Sequence, residues 1–333
     1  MNTATRFRNT LAFENCDRLP KLEWAPWWTL TLDRWHEEGL PAELVRVDEV
    51  QAYFDLDQVL QFLPRARQTG CPAPPYHGAG IITDGEDYAA LIPFLFPPTS
   101  EAFDWPWIER CAARQQQGEL IIWLTFEGFF WFPRTLFGIE RHLYAFYEQP
   151  QLMHEMNERL LEFNLAALEA FCQVCTPDFL TFAEDMSFRS GPMIGKPLFD
   201  EFVGPYYRRL IPAIRQQGIQ PLVDSDGEVS ALVPWFEEVG IDGFLPLERR
   251  AGCDVDAIRR AHPSLRMIGG FDKTCMAIGE EAMRTEFERL LPVMRQGGFV
   301  PGVDHQTPPD VSLKQYRVYA RLLDEYCHRA CEA

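Results

Sequence analysis

The chain has 333 residues, 47% of them hydrophobic and 13% aromatic, so it can bury a large core and is not disordered for want of apolar surface. Its net charge of −18 leaves no stripe of Lys and Arg to neutralise phosphates, which excludes nucleic acid as a partner and disfavours an anionic membrane surface. The same acidity suits a solvated outer layer of helices.

In chain order, Met1–Pro20 is polar and charged and does not read as a signal peptide. Apolar runs such as Leu91–Pro98 are far too short to span a bilayer, so a cytoplasmic protein is expected. Lys21–Trp24 reads as a first strand and Gln58–Leu63 as a second. Residues 70–103 break the pattern with clustered Pro and Gly. Asp84-Gly85 there is a hairpin-turn signal, so a hairpin or lid insertion is expected. From Gly118 one grammar repeats: a short apolar run, a polar break, an amphipathic helix. The runs are Leu120–Phe126, Pro177–Ala183, Gln220–Val223, Gly243–Leu247, Leu265–Ile268 and Gly298–Val303. The helical stretches are Leu152–Cys172, Lys196–Gln217, Val229–Val239, Val255–His262, Gly279–Arg295 and Leu313–Cys327. Strands alternating with helices of this length make βαβ units, and eight strands close a (β/α)₈ TIM-type barrel over residues 1–333 as one catalytic domain. The nine cysteines are scattered and odd in number, as expected of reduced thiols, and the Cys172/Cys175 pair sits on an apolar helix face.

A barrel places chemistry at the C-terminal ends of its strands. Those ends carry Trp27 and Trp28; Glu127 and Trp131; Glu184 and Asp185; Asp224 and Asp226; Glu248 and Arg249; Asp272 and Lys273; Asp304 and His305. Any one Asp here is an ordinary helix cap. Crowding Glu184, Asp185, Asp226, Glu248, Asp304 and His305 at one mouth requires a compensating cation or a shared proton. A divalent metal on Asp226, Glu248 and His305 is one solution. Pairing with Arg189, Arg249, Arg250 and Lys273, leaving one carboxylate as general acid or base, is the other. His305, beside Asp304 after the last strand, stands above His36, His142 and His154, which fall in expected surface helices. Trp24, Trp27, Trp28, Phe129, Phe130 and Trp131 suggest an apolar pocket wall.

The stretches Phe182-Ala-Glu-Asp-Met-Ser-Phe-Arg-Ser-Gly-Pro-Met193, Asp224-Ser-Asp-Gly-Glu228, Met267-Ile-Gly-Gly-Phe-Asp-Lys273 and Gly297-Gly-Phe-Val-Pro-Gly-Val-Asp-His-Gln-Thr-Pro-Pro-Asp310 resemble the uroporphyrinogen decarboxylase superfamily. The resemblance implies a distorted (β/α)₈ barrel and one of two chemistries: cofactor-free porphyrinogen decarboxylation, or zinc-assisted methyl transfer linked to cobalamin. Where decarboxylases of the superfamily carry an Arg-rich motif, this chain has Trp24-Ala-Pro-Trp-Trp28, so a polyanionic tetrapyrrole is not the expected substrate. Where thiol-methylating members carry His-x-Cys and a late Cys, it has Asp224-x-Asp226 and Asp304-His305. Oxygen and imidazole ligands remain compatible with zinc.

The expected function is therefore methyl transfer from a small methylated or methoxylated compound to a corrinoid on a separate protein. Metal would sit at Asp226, Glu248 and His305, and Glu184 or Asp185 would position or protonate the leaving group. Trp27, Trp28, Glu127, Trp131, Arg189 and Arg249 would line the substrate. The alternatives are a metal-free decarboxylase or lyase of an organic acid, with Asp226 or Asp185 handling the proton and Arg189 and Arg249 the substrate, and a non-catalytic small-molecule-binding relative. A homodimer is a fair expectation for a barrel.

Overall fold

The structure is a computed structural model, and it describes residues 1–332. Seven parallel strands form one curled sheet in the order β1 (Gln58–Phe62), β2 (Leu120–Glu127), β3 (Phe179–Ala183), β6 (Pro221–Asp224), β7 (Gly243–Leu245), β8 (Arg266–Phe271) and β9 (Phe299–Val303). Two short strands, β4 (Ser187–Phe188) and β5 (Gly191–Pro192), pair antiparallel as a small hairpin after β3. Helices follow the strands on the outside, giving the expected (β/α)₈-type barrel. β2 is buried along its length apart from Glu127, as a strand covered on both faces should be.

The eighth position is filled differently from expectation. Lys21–Trp24 runs extended between β9 and β1 but makes no strand ladder, and its partners are largely side chains. Asp57 N–H donates to the Lys21 carbonyl at 3.0 Å, and Lys21 N–H to Asp57 Oδ2 at 3.0 Å. The buried amide of Gln51 does the work of a peptide group: it donates to the Glu23 carbonyl at 3.3 Å and accepts from Val59 N–H of β1 at 3.1 Å. On the other edge Trp24 Nε1–H donates to the Val303 carbonyl at 2.7 Å. Gly302 allows this approach, since a Cβ there would stand 3.0 Å from the Leu22 carbonyl oxygen. Pro20 and Pro26 flank the segment and lack the N–H a longer ladder would need.

The excursion over 70–103 is present, but Asp84-Gly85 is not a hairpin turn. Asp84 is the N-cap of a helix, Gly85–Leu91, accepting from Glu86 N–H at 2.9 Å and Asp87 N–H at 3.1 Å. An Asp side chain satisfies open helix donors as readily as it turns a hairpin, and the two acidic residues that follow favour the helix. The helix expected over Lys196–Gln217 is interrupted at Val203, giving Lys196–Phe202 and Gly204–Gln216. The one expected over Val229–Val239 shortens to Val233–Glu237.

His142 is not on the surface. It is fully buried between Phe130 and Phe146, at ring distances of 4.7 and 4.9 Å, and burial drives its pKa down to about 3. All nine cysteines are free thiols, and burial raises Cys172 to about 11 and Cys175 to about 12. Among the described residues no helix is long and apolar enough to cross a membrane.

Candidate active site at the strand ends

Alternation along β3 sorts its terminal carboxylates. Thr181 faces the barrel interior, where its hydroxyl pairs with Thr125 Oγ1 at 2.8 Å and accepts from Trp123 Nε1–H at 2.8 Å. Phe182 faces outward onto Tyr207, at a ring distance of 4.8 Å. Glu184 shares the outward side and is 0% exposed. Its carboxylate accepts from the backbone N–H groups of Phe129 at 2.9 Å, Phe130 at 2.8 Å and Trp131 at 3.0 Å, and from the Tyr207 hydroxyl. Burial pushes it up to about 7 against those four donors. Gly128 leaves the room it needs, because a Cβ there would land on the carboxyl group. Glu184 therefore braces the turn after β2 from beneath the mouth, away from where sequence placed it as a leaving-group acid.

Asp185 faces in. It is a non-glycine residue with φ of 38° and keeps 35% of its side chain exposed. Arg134 Nη1–H donates to Asp185 Oδ2 at 2.9 Å and to its carbonyl at 2.6 Å. Burial still raises the carboxyl to about 6, with Arg134 lowering it and Asp226 and Glu248 pushing it up. Asp224, at the end of β6, is pushed up to about 8 by burial, then by Asp226 and Asp185, with His305 opposing. No described residue gives its carboxyl a hydrogen bond. His305 Nε2 lies 3.6 Å from Asp226 Oδ2. That contact raises the imidazole pKa, against partial desolvation. Asp226 remains 41% and His305 28% exposed, so both open to the mouth. Glu248 borders the group, with one oxygen accepting from Gly227 N–H at 2.8 Å.

Asp304 and Asp272 are structural. Asp304 is 2% exposed and ties two loops together, accepting from Arg249 N–H at 3.0 Å and Lys273 N–H at 3.2 Å. Asp272 accepts from Thr274 N–H at 3.0 Å and pairs with Arg250 at 2.8 Å.

Of the proposed metal set, Asp226 and His305 are adjacent and Glu248 is next to them. Yet among the described residues no three His, Cys, Asp or Glu side chains form a group that could hold a metal ion. Glu248 is turned to the Gly227 amide, and the His305–Asp226 separation is that of an ion pair. The donor set does not fit zinc as arranged.

The aromatic wall divides as well. Trp27 is buried against Trp35, Phe54 and Tyr316, with ring distances of 6.0, 6.2 and 5.7 Å, and belongs to the core rather than a pocket. Phe129 and Phe130 are fully buried, whereas Trp28 is 42% exposed. Trp131 is half-buried under the Arg134 guanidinium, 5.0 Å from its ring centre. Glu127 pairs with Arg67 at 3.0 Å and its other oxygen is buried without a partner. Arg189 and Arg249 lie on the rim.

Sequence reading missed Arg134, Arg67 and Tyr207, which sit in helices or beside the excursion and meet the strand ends only in space. The period-two alternation of β3 is the signal that would have separated Glu184 from Asp185.

A parallel barrel with an acidic mouth at its strand ends is the class these features define. A family model described as uroporphyrinogen decarboxylase (URO-D) matches residues 134–326, more than half of the chain, and the chain belongs to that family. No curated protein matches it. Among solved structures, a methyltransferase from Methanosarcina mazei aligns over 98% of this chain and 99% of that one, with a TM-score of 0.67 at 15% identity. A B12-independent methionine synthase from Shewanella sp. aligns over 66% of this chain and 65% of that one, with a TM-score of 0.41 at 14% identity. The first shares the fold; the second is too distant to add to it.

Proposed function

We propose that the chain is a methyltransferase that moves a methyl group from a small methylated or methoxylated compound to a corrinoid carried by a separate protein. The observation that carries this is the Asp224 carboxyl, recessed at the mouth without a hydrogen-bond partner, pushed up to about 8 and facing the Asp226–His305 pair. The end-to-end likeness to the Methanosarcina mazei methyltransferase supports the choice of transferred group.

Asp224 is mostly protonated at neutral pH and so can act as an acid. When the bond between the methyl carbon and its heteroatom breaks, the electron pair stays on the heteroatom, which takes the Asp224 proton. The methyl carbon bonds to the acceptor's electron pair. Asp226 and His305 then return a proton to Asp224 from solvent. Asp185, held by Arg134, faces the same space and orients the substrate. Carboxylates whose environments push their proton affinities apart are a recurrent acid–base arrangement.

The test is methyl transfer from a panel of methylated and methoxylated compounds to free cob(I)alamin, followed by its change in absorption. Activity should fall as pH rises through about 8, and Asp224→Asn should abolish transfer while leaving the fold intact. No transfer from any donor, together with CO₂ release from an organic acid, would assign the protein to the lyases instead.

A further inference from the structure

Arg189, Arg249, Arg250, Ala251, Gly252 and Asp272 enclose a cleft of about 590 Å³ on the barrel rim. Arg189 sits on the turn between β4 and β5, and Gly191, the first residue of β5, takes a φ of 100° that favours glycine. This hairpin is clamped to the loop that carries Asp226. Glu228 N–H donates to the Phe188 carbonyl at 2.9 Å, and the Ser187 hydroxyl donates to the Glu228 carbonyl. Gly227 permits the contact, since a Cβ there would strike the Ser187 carbonyl. The same loop is tied on its other side to the turn after β7. Gly227 N–H donates to Glu248 Oε2 at 2.8 Å, and Cys253 Sγ–H donates to the Gly227 carbonyl at 3.3 Å. The two arginine-bearing turns are thus fixed on either side of the loop that supplies Asp226.

The three arginines are unequally paired. Arg250 is held by Asp272 at 2.8 Å and by Thr274 Oγ1 at 2.9 Å. The Arg249 guanidinium has only a long contact, 3.6 Å, with Asp254. Arg189 is exposed and pairs with no carboxylate among the described residues. In a chain with 49 acidic residues against 31 basic ones, two loosely compensated guanidinium groups on one cleft stand out. Their planar forks match a carboxylate in bidentate geometry.

We propose that this cleft is an anion subsite in which Arg189 and Arg249 take a carboxylate of the substrate, with Arg250 as a fixed third wall. The inference rests on the methyl-transfer reading and narrows it. The substrate is a small methylated or methoxylated compound that also bears a carboxylate, held at the rim while its methyl-bearing end reaches Asp224 and Asp226. Phosphate would meet the same guanidinium groups, so the test includes it.

Methoxyacetate, the neutral methoxyacetamide and inorganic phosphate are titrated into the full chain, with binding followed by ligand-observed NMR. Methoxyacetate should bind roughly tenfold more tightly than methoxyacetamide, as one charge-assisted contact would give. Arg189→Gln with Arg249→Gln should erase that preference at an unchanged melting temperature, because the Arg189 side chain is exposed and that of Arg249 makes only a long ion contact. Arg189→Lys, which keeps the charge without the fork, should retain part of it, and added salt should shrink it. A preference that survives in the double glutamine variant would overturn the proposal. So would equal binding of acid and amide by the wild type, or tighter binding of phosphate than of methoxyacetate. The readout needs no turnover, so failure of methyl transfer and failure of anion binding are seen separately.

Discussion

Removing the Glu184 carboxylate should destabilise the fold before it affects any chemistry. Glu184→Ala leaves three backbone N–H groups and the Tyr207 hydroxyl without their acceptor, at a site that is 0% exposed. A buried donor left unsatisfied costs about 1–3 kcal/mol, and water entering the new cavity would rescue some of them. A net loss of about 4 kcal/mol follows, a large share of the roughly 5–15 kcal/mol that holds a typical domain together. Glu184→Gln keeps the shape but sets an amide NH₂ against backbone donors, for a loss of about 3 kcal/mol. Urea unfolding followed by tryptophan fluorescence measures both, the midpoint falling with its slope unchanged. A Glu184→Ala protein with the wild-type midpoint and a lost activity would refute the bracing role and restore Glu184 to the catalytic set.

Two further outcomes test the barrel's closure. Glu23 is 2% exposed, hydrogen-bonded by the Tyr316 hydroxyl at 3.0 Å, and pushed by burial from 4.5 to about 8. The unfolded chain loses this proton near its ordinary value while the folded chain keeps it. The Glu23 contribution to stability should therefore fall by on the order of 5 kcal/mol as pH rises from about 4.5 to about 8, a window in which Glu184, Asp185 and Asp224 add slopes of the same sign. Glu23→Gln should make that slope shallower in unfolding curves taken at several pH values; an unchanged slope would show that Glu23 does not contribute to it. Gln51→Ala removes both bonds that join the first segment to β1 and should cost about 2–3 kcal/mol. Hydrogen exchange should speed up at Val59 in particular, and an unaffected Val59 amide would count against the bridging role.

Much of the barrel is legible because strand and helix periods are local properties. Leu120–Phe126 and Gly298–Val303 read as buried strands from their composition alone, and the structure has them there. The first segment departs from a strand for a reason of the same kind: Lys21–Trp24 has a strand's composition, but its bonding partners come from Gln51, Asp57 and Val303, which no local pattern reveals. Asp84-Gly85 shows the converse, one dipeptide serving two local structures, with the residues after it deciding between them.

The opposite fates of Glu184 and Asp185 mark the limit most clearly. The sequence by itself determined that carboxylates gather at the strand ends, because the alternation of strands and helices dictates where those ends lie. Tertiary structure alone decided which carboxylates are exposed and what each one meets. Glu184 turns to backbone donors, Asp185 to Arg134, Asp226 to His305 and Asp224 to no hydrogen-bond donor. Proton affinity is set by burial and by charges a few ångströms away in space. Neighbours brought together across 23 to 79 positions of chain, as in Tyr207–Glu184, Arg134–Asp185 and His305–Asp226, exist only once the barrel has closed.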